Sequence, residues 1–367
     1  MFKRGFAGFM VLHGLVHIMG FIKAFGLMDV PSLTLPITPA LGLVWLVTAL
    51  LFMGTAVATL RGRDIWLPLG VVAVCASQMV IFTVWQDAKF GTWANLIILA
   101  VWMVDLGRFR IWRRFRTCVE HQFSQNNPLT DDPLTESDLA HLPLPVQRYI
   151  RLSGFVGRPK VVNFRVECRG GIRSNPGEGY MKLNSVQFNF LSRPARLFHI
   201  VARKKGIPAA GLHLYQEEKA IFQIKLLNWF TVVDAAGEKM DQGETVTLFN
   251  DMCFMAPGTL IDERISWQSI DEERVRAVYT NGRISVRATL HFSPDGRLVN
   301  FVSTDRFETD GRTYHNYPWS TPVRDYHDFN GYLLPSKASL VYARPDGDFT
   351  YGEFELIKFE YNLKGIR

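Results

Sequence analysis

The sequence predicts an α-helical transmembrane bundle of four spans, followed by a mainly antiparallel, strongly curved β-sheet or half-barrel with a few short helices. Three observations predict it. Residues 1–107 hold three long apolar runs almost without charge and a shorter fourth. A dense basic cluster, Arg108, Arg110, Arg113, Arg114 and Arg116, follows the last run. The rest of the chain is dominated by strand-like runs broken by Gly, Pro, Asn and Asp, with almost no helical crossovers. The chain therefore divides into a four-span transmembrane module (1–107), a basic interfacial segment and linker (108–141), and a soluble β-rich domain (142–367).

A helix needs about 20 apolar residues to cross the hydrocarbon core. The expected spans run from Phe6 to Met28, Ala40 to Leu60, Ile65 to Val84 and Thr92 to Leu106. The first follows Lys3 and Arg4 but is too long for a signal peptide and lacks a small-residue cleavage site, so it is read as an uncleaved span. Lys3 and Arg4, Arg61 and Arg63, and the cluster after span four all fall on one side; the other side has Lys23 and Lys89. The excess of basic residues marks the cytoplasmic face. Four spans then place the N-terminus and the C-terminal domain in the cytoplasm of a multi-pass protein of the cell inner membrane.

His13 and His17 lie four apart and share a helix face, an intramembrane polar face beside Gly14 and Gly20. Two readings stand: hydrogen bonds to neighbouring helices, or a ligand or proton site. Bis-histidine haem ligation within one chain is excluded, because the other spans contain no histidine. Gln78 and Asn95 can satisfy each other across helices, and Asp105 can pair with the basic residues beside it. Four compact spans with so few polar groups argue against a transporter.

In the linker, RFRIWRRFR interleaves arginines with aromatic and apolar residues, as an interfacial segment does. QNNPLTDDPLTESDL after it reads as a flexible or irregular connection. LPLPVQRYIRLSG is a short docking helix with Val146, Tyr149 and Ile150 on its apolar face and Gly154 at its end. Strands are expected over 160–167, 180–190, 196–202, 207–215 and 219–227. A helix follows near Glu244–Phe254, with Thr245, Leu248, Met252 and Cys253 on one face. Further strands are expected over 265–269, 274–280, 283–292, 299–307, 334–343 and 350–361. Thr280-Asn281-Gly282, Ser293-Pro294-Asp295-Gly296 and Arg344-Pro345-Asp346-Gly347 are turn signals between them.

The net charge of +7 is spread over both parts of the chain, which excludes a nucleic-acid-binding charge field. The four cysteines, Cys75, Cys118, Cys168 and Cys253, have neither zinc-ligand nor CxxC spacing. No metal or cofactor is expected. Serine-hydrolase, zincin, P-loop and dinucleotide-binding motifs are absent, so no catalytic residue is assigned. The most polar and aromatic stretch is 305–328. It suits a rim that recognises a polar head group, or a loop packed back on the sheet; Asp325 and His327 share a face within it.

LPLPVQRYIRLSGFVGRPKV, Trp267, the F-x-x-x-G pattern at 292–296, PWSTPVRDY at 318–326 and Asn330-Gly331-Tyr332 with Pro335 together resemble an uncharacterised bacterial family, a domain of unknown function. The resemblance implies a β domain over about 143–362. HGLVHIMGFIKAFG and WQDAKFGTWAN are similar to the N-terminal multi-span module that some members carry. A more distant likeness, in topology alone, is to the lipoprotein-carrier fold, a curved sheet that holds acyl chains. The working expectation is a membrane-anchored domain that binds a lipid or other hydrophobic ligand, with Trp267, Arg306, Trp319 and Tyr326 as candidate contacts. The alternatives are a module that binds a protein partner without a small ligand, and an enzyme of unrecognised class with its site near 305–328.

Overall fold

The computed structural model describes residues 2–126, 131–310 and 312–366. It separates into two units, Met1–Arg110 and Ile111–Arg367. The first holds α1 (Phe2–Ala24), α2 (Pro39–Leu60), α3 (Trp66–Thr83), the short α4 (Trp85–Ala88) and the start of α5 (Gly91–Gln125). Thr38 caps α2 by accepting from Leu41 N–H, and Pro39 occupies its first turn. Phe6, Met10, Phe52, Trp66, Ala73 and Ile98 form its main core cluster.

Among the described residues, three helices are long and apolar enough to cross a membrane: α1, α2 and α3. The expected fourth span, Thr92 to Leu106, is not among them. Its apolar run lies within α5, but Asn95 and Asp105 interrupt it, and the helix continues through the basic cluster to Gln125. The interfacial segment thus has helical period: Ile111, Phe115 and Val119 recur every four residues and are buried in a cluster with Phe188, Phe190, Leu197 and Leu212. Alternating arginines concealed that spacing. The connection after it is partly corrected too; residues 127–130 lie outside the described residues, but Leu134 is buried and bonded both ways, to Arg158 O at 2.8 Å and from Gly157 N at 2.7 Å. The brief α6 (Glu136–Leu139) follows, with a capping box at Thr135 and Asp138.

The docking helix is α7 (Leu144–Leu152), with Val146, Tyr149 and Ile150 fully buried. Gly154 ends it at φ +76°, where a Cβ would meet Gly331 O at 2.5 Å, so both conformation and space demand glycine. A meander of β1 (Asn163–Ile172), β2 (Met181–Phe190), β3 (Ala195–Lys204), β4 (Ile207–Gln216), β5 (Lys219–Leu226) and β6 (Phe230–Ala236) comes next. The helix α8 (Glu238–Met255) and a 3₁₀ turn (Pro257–Ile261) lead to β7 (Ile265–Ser269), β8 (Arg274–Asn281), β9 (Ile284–Phe292) and β10 (Leu298–Ser303). Three short strands, β11 (Glu308–Thr309), β12 (Tyr314–His315) and β13 (Trp319–Ser320), precede β14 (Val323–Phe329), β15 (Tyr332–Arg344) and β16 (Gly347–Tyr361). β6 was absent from the expected strands: it is an edge strand, largely exposed, and so lacks the alternation that identifies a half-buried one.

The main sheet runs β6-β5-β4-β3-β2-β1-β16-β15-β13-β10-β9-β8-β7, with β14 beside β15, and its pairings are antiparallel. The last strand thus lies beside the first, and β6 and β7 are opposite edges. α8 joins those edges and packs against β4, β5 and β6 on one side and β9, β10 and β15 on the other. A twisted antiparallel sheet of this width curls. The result is a half-barrel with a helix in its concavity.

Candidate ligand cavity

Side chains alternate faces along a strand, and β3 and β4 show what that does here. Leu197, Leu212 and Leu214 face the convex side, in the cluster with Phe115. Arg196, Phe198, Ile200, Ala209 and His213 face the concave side and line a cavity of about 1420 Å³ between the sheet and α8. β3 runs along it from the buried Arg196 to the exposed Lys204, a distance of ~26 Å at ~3.3 Å per residue. The middle is apolar, walled by Phe198, Ile200, Ile224, Leu340 and Phe354. Away from the buried network the lining is charged with both signs: Arg173, Arg203, Lys204, Lys205, Lys239 and Arg344 beside Glu178, Glu308, Asp310 and Asp346.

α8 supplies the inner boundary. Met240, Gly243, Glu244, Thr247, Asn250, Asp251 and Phe254 recur at three- and four-residue intervals and form the face that lines the cavity. Its polar members are buried and held in a network. Arg196 donates from Nε to Asp251 Oδ2 at 2.7 Å, from Nη1 to Glu244 Oε2 at 3.1 Å and from Nη2 to Gln187 Oε1 at 3.0 Å. Gln187 and Asn189 also donate to Asp251, at 2.6 and 3.2 Å. His213 Nε2 lies 3.0 Å from Glu244 Oε1. Burial pushes Glu244 up, but His213 and the Arg196 guanidinium outweigh it and bring its pKa to about 2. Burial lowers the pKa of His213 despite Glu244, which favours the neutral imidazole. Cys168 also lines the cavity, yet burial lifts its thiol to about 12, so it is no thiolate nucleophile at neutral pH.

Arg306, from the segment after β10, reaches the same level of the cavity from the opposite wall. Its guanidinium lies over the Trp319 ring, 4.6 Å from the centroid. Nε donates to Thr247 Oγ1 at 3.1 Å, and Nη1 donates to the Tyr342 hydroxyl. Tyr342 in turn donates to Phe307 O at 2.9 Å.

Of the four candidate contacts read from the sequence, the structure brings Arg306 and Trp319 together in this cavity. Trp267 sits on β7, half-buried against the core, and Tyr326 sits on β14, donating to Leu298 O at 2.6 Å; neither is among the cavity lining. The 305–328 stretch divides the same way. Arg306, Phe307, Tyr317 and Trp319 line the cavity, whereas Asp325 pairs with Lys337 on the surface at 2.8 Å and His327 is exposed. In the first unit, His13 Nε2 lies 3.0 Å from Asn95 Oδ1, and His17 Nε2 lies 2.9 Å from Ser77 Oγ. Asn95 also donates to Gln78 at 3.1 Å, and Asp105 accepts from Trp66 Nε1 at 2.8 Å. Arg196, His213, Glu244 and Asp251 were not picked out from the sequence. Their signal was there: polar residues on α8 spaced as one face, and an arginine in phase with Phe198 and Ile200 on β3.

A curved antiparallel sheet around a helix, with open space between them, defines a β-domain that encloses its site. The chain belongs to DUF6544, a family of unknown function, which matches residues 132–354. No curated protein matches it. Among solved structures it is similar to a LolA-superfamily protein from Nitrosomonas europaea, at 8% identity and TM-score 0.34 over 59% of this chain and 91% of that one. It is also similar to a DUF1329 family protein from Desulfovibrio piger, at 10% identity and TM-score 0.36 over 63% of this chain and 95% of that one.

Proposed function

We propose that this chain is a multi-pass membrane protein whose β domain binds a lipid or similar hydrophobic ligand in the cavity beneath α8. The cavity carries this reading. The cavity opens to solvent past the exposed Arg203, Lys204, Lys205 and Lys239. Here about 1420 Å³ is left open beside apolar walls, more than the ~300–1,000 Å³ of ordinary small-molecule sites. An elongated apolar guest would take those walls out of water.

The anchor is supported by what the first unit exposes. Leu12, Leu15, Val47, Leu50, Val72 and Phe82 point outward, a surface suited to hydrocarbon. The apolar start of α5 serves as the fourth span, with Asp105 paired to Arg108 near its end. Four spans and the basic flanks put both termini on the cytoplasmic side of the cell inner membrane.

The test uses the full chain purified in detergent. Solvent extraction and mass spectrometry should find a lipid retained per protein above the detergent blank. The variant Ala338→Trp, which fills part of the lining, should lose it at an unchanged melting temperature. Equal retention by both proteins would remove the basis for cavity binding. For the anchor, the protein should stay in the membrane pellet after an alkaline wash; release into the supernatant would end that part of the reading.

A further inference from the structure

We propose that Arg306 receives an oxyanion, the carboxylate or phosphate group of an amphipathic ligand whose chain lies along the apolar middle of the cavity; this rests on the reading that the cavity is occupied. The two arginines at this level differ in what they have already bound. Arg196 pairs directly with two carboxylates, Glu244 and Asp251. Arg306 lines the same cavity but forms no direct ion pair among the described residues: it donates to the neutral oxygens of Thr247 and Tyr342, and Glu244 acts on it only at longer range, through Thr247, whose hydroxyl donates to Glu244 Oε1 at 3.1 Å. A guanidinium carries five N–H donors and stays charged, so Nη2 retains donors for an incoming oxyanion. Trp319 and Tyr342 hold the plane in place: the indole lies against one face and the phenol fixes Nη1. A pre-oriented fork meets a carboxylate or phosphate at low entropic cost. Phe198, Ile200 and Leu340 offer the accompanying chain an apolar path toward the mouth.

The experiment is a competition assay on the full chain in a neutral maltoside detergent, with an uncharged fluorescent long-chain alcohol as probe. The competitors are hexadecanoate, hexadecyl phosphate, hexadecanol and inorganic phosphate. Wild type should prefer both anionic amphiphiles to hexadecanol by roughly tenfold or more, the scale of one charge-assisted bond. Arg306→Gln should bring the three amphiphiles to one affinity without weakening hexadecanol. Arg306→Lys should keep part of the preference, because charge survives and the fork does not. An equal affinity in wild type, or an undiminished preference in either variant, would overturn the assignment, and Arg306→Lys decides it if the Gln variant does not fold. Displacement by inorganic phosphate alone would overturn the requirement for a chain. Ala338→Trp separates the two levels: if it leaves every affinity unchanged, cavity occupation fails, whereas a loss of hexadecanol binding with no anionic preference in wild type condemns the Arg306 assignment alone.

Discussion

One face of α8 carries Leu248, Phe249, Met252 and Cys253, and the other carries Glu244, Thr247, Asn250 and Asp251; both are buried. The first packs dry. Phe249 stacks on Tyr279 at 5.4 Å and meets Phe301 edge-on at 5.5 Å, and Tyr149 donates to Cys253 O at 3.0 Å. The second faces open space and is held by hydrogen bonds and ions rather than close packing. Burial alone therefore says little about a helix position. What replaces the lost water, a packed ring or a paired charge, decides what each residue contributes and what a substitution there would cost.

The largest effect should come from Arg196→Ala. It removes the guanidinium bonded directly to the buried carboxylates of Glu244 and Asp251, a change that costs on the order of 3–5 kcal/mol. Thermal unfolding in detergent should show it, and a near-normal midpoint would mean that the network is open to water. On the dry face, Phe249→Ala should cost about 3–5 kcal/mol through the void it leaves, without altering ligand preference. If ligand affinity fell at matched stability, the separation of the two faces would break down. Asn250→Ala should cost only about 0.5–1.5 kcal/mol, because it removes one bond to Thr321 at 3.1 Å beside a space that already exists. A loss as large as that of Phe249→Ala would show that the cavity face is packed after all.

The smallest effect is in pH. His213 has its pKa lowered from 6.5 by burial, so below that value the unfolded chain takes up the proton first. Stability should be full above about pH 6.5 and decline as pH falls through the folded value. Glu244 adds a second decline, from about 4.5 toward about 2, as its carboxylate is protonated in the folded state. Melting temperatures across pH 7.5 to 4 should trace the first limb, and His213→Gln should flatten it. A profile with the same slope in that variant would assign the limb to another group.

Much of the β domain was legible because its signals are local. Asn281-Gly282 turns between β8 and β9, with Gly282 at φ +56°, and the period of Val146, Tyr149 and Ile150 marks the buried side of α7. The continuation of α5 was harder to read. Ile111, Phe115 and Val119 have helical spacing, but the arginines between them look like an interfacial stripe until a sheet is there to bury the apolar side. The cavity face of α8 was harder still. Polar residues at helical spacing ordinarily face water, so nothing in Glu244, Thr247, Asn250 and Asp251 by themselves marks a buried face. Their partners Arg196 and His213 come from β3 and β4, well before the helix in the chain.

By itself the sequence determined where apolar helices give way to strands, where hairpins turn, and which side of each short helix avoids water. Those choices rest on periodicity and turn chemistry, which neighbouring residues express without help. Tertiary structure decided which polar residues go inside, which of the two arginines finds carboxylates, and whether the concave face is filled or left open. Such outcomes depend on groups far apart in the chain meeting across a curved sheet, and on the balance between desolvation and pairing that exists only once they meet.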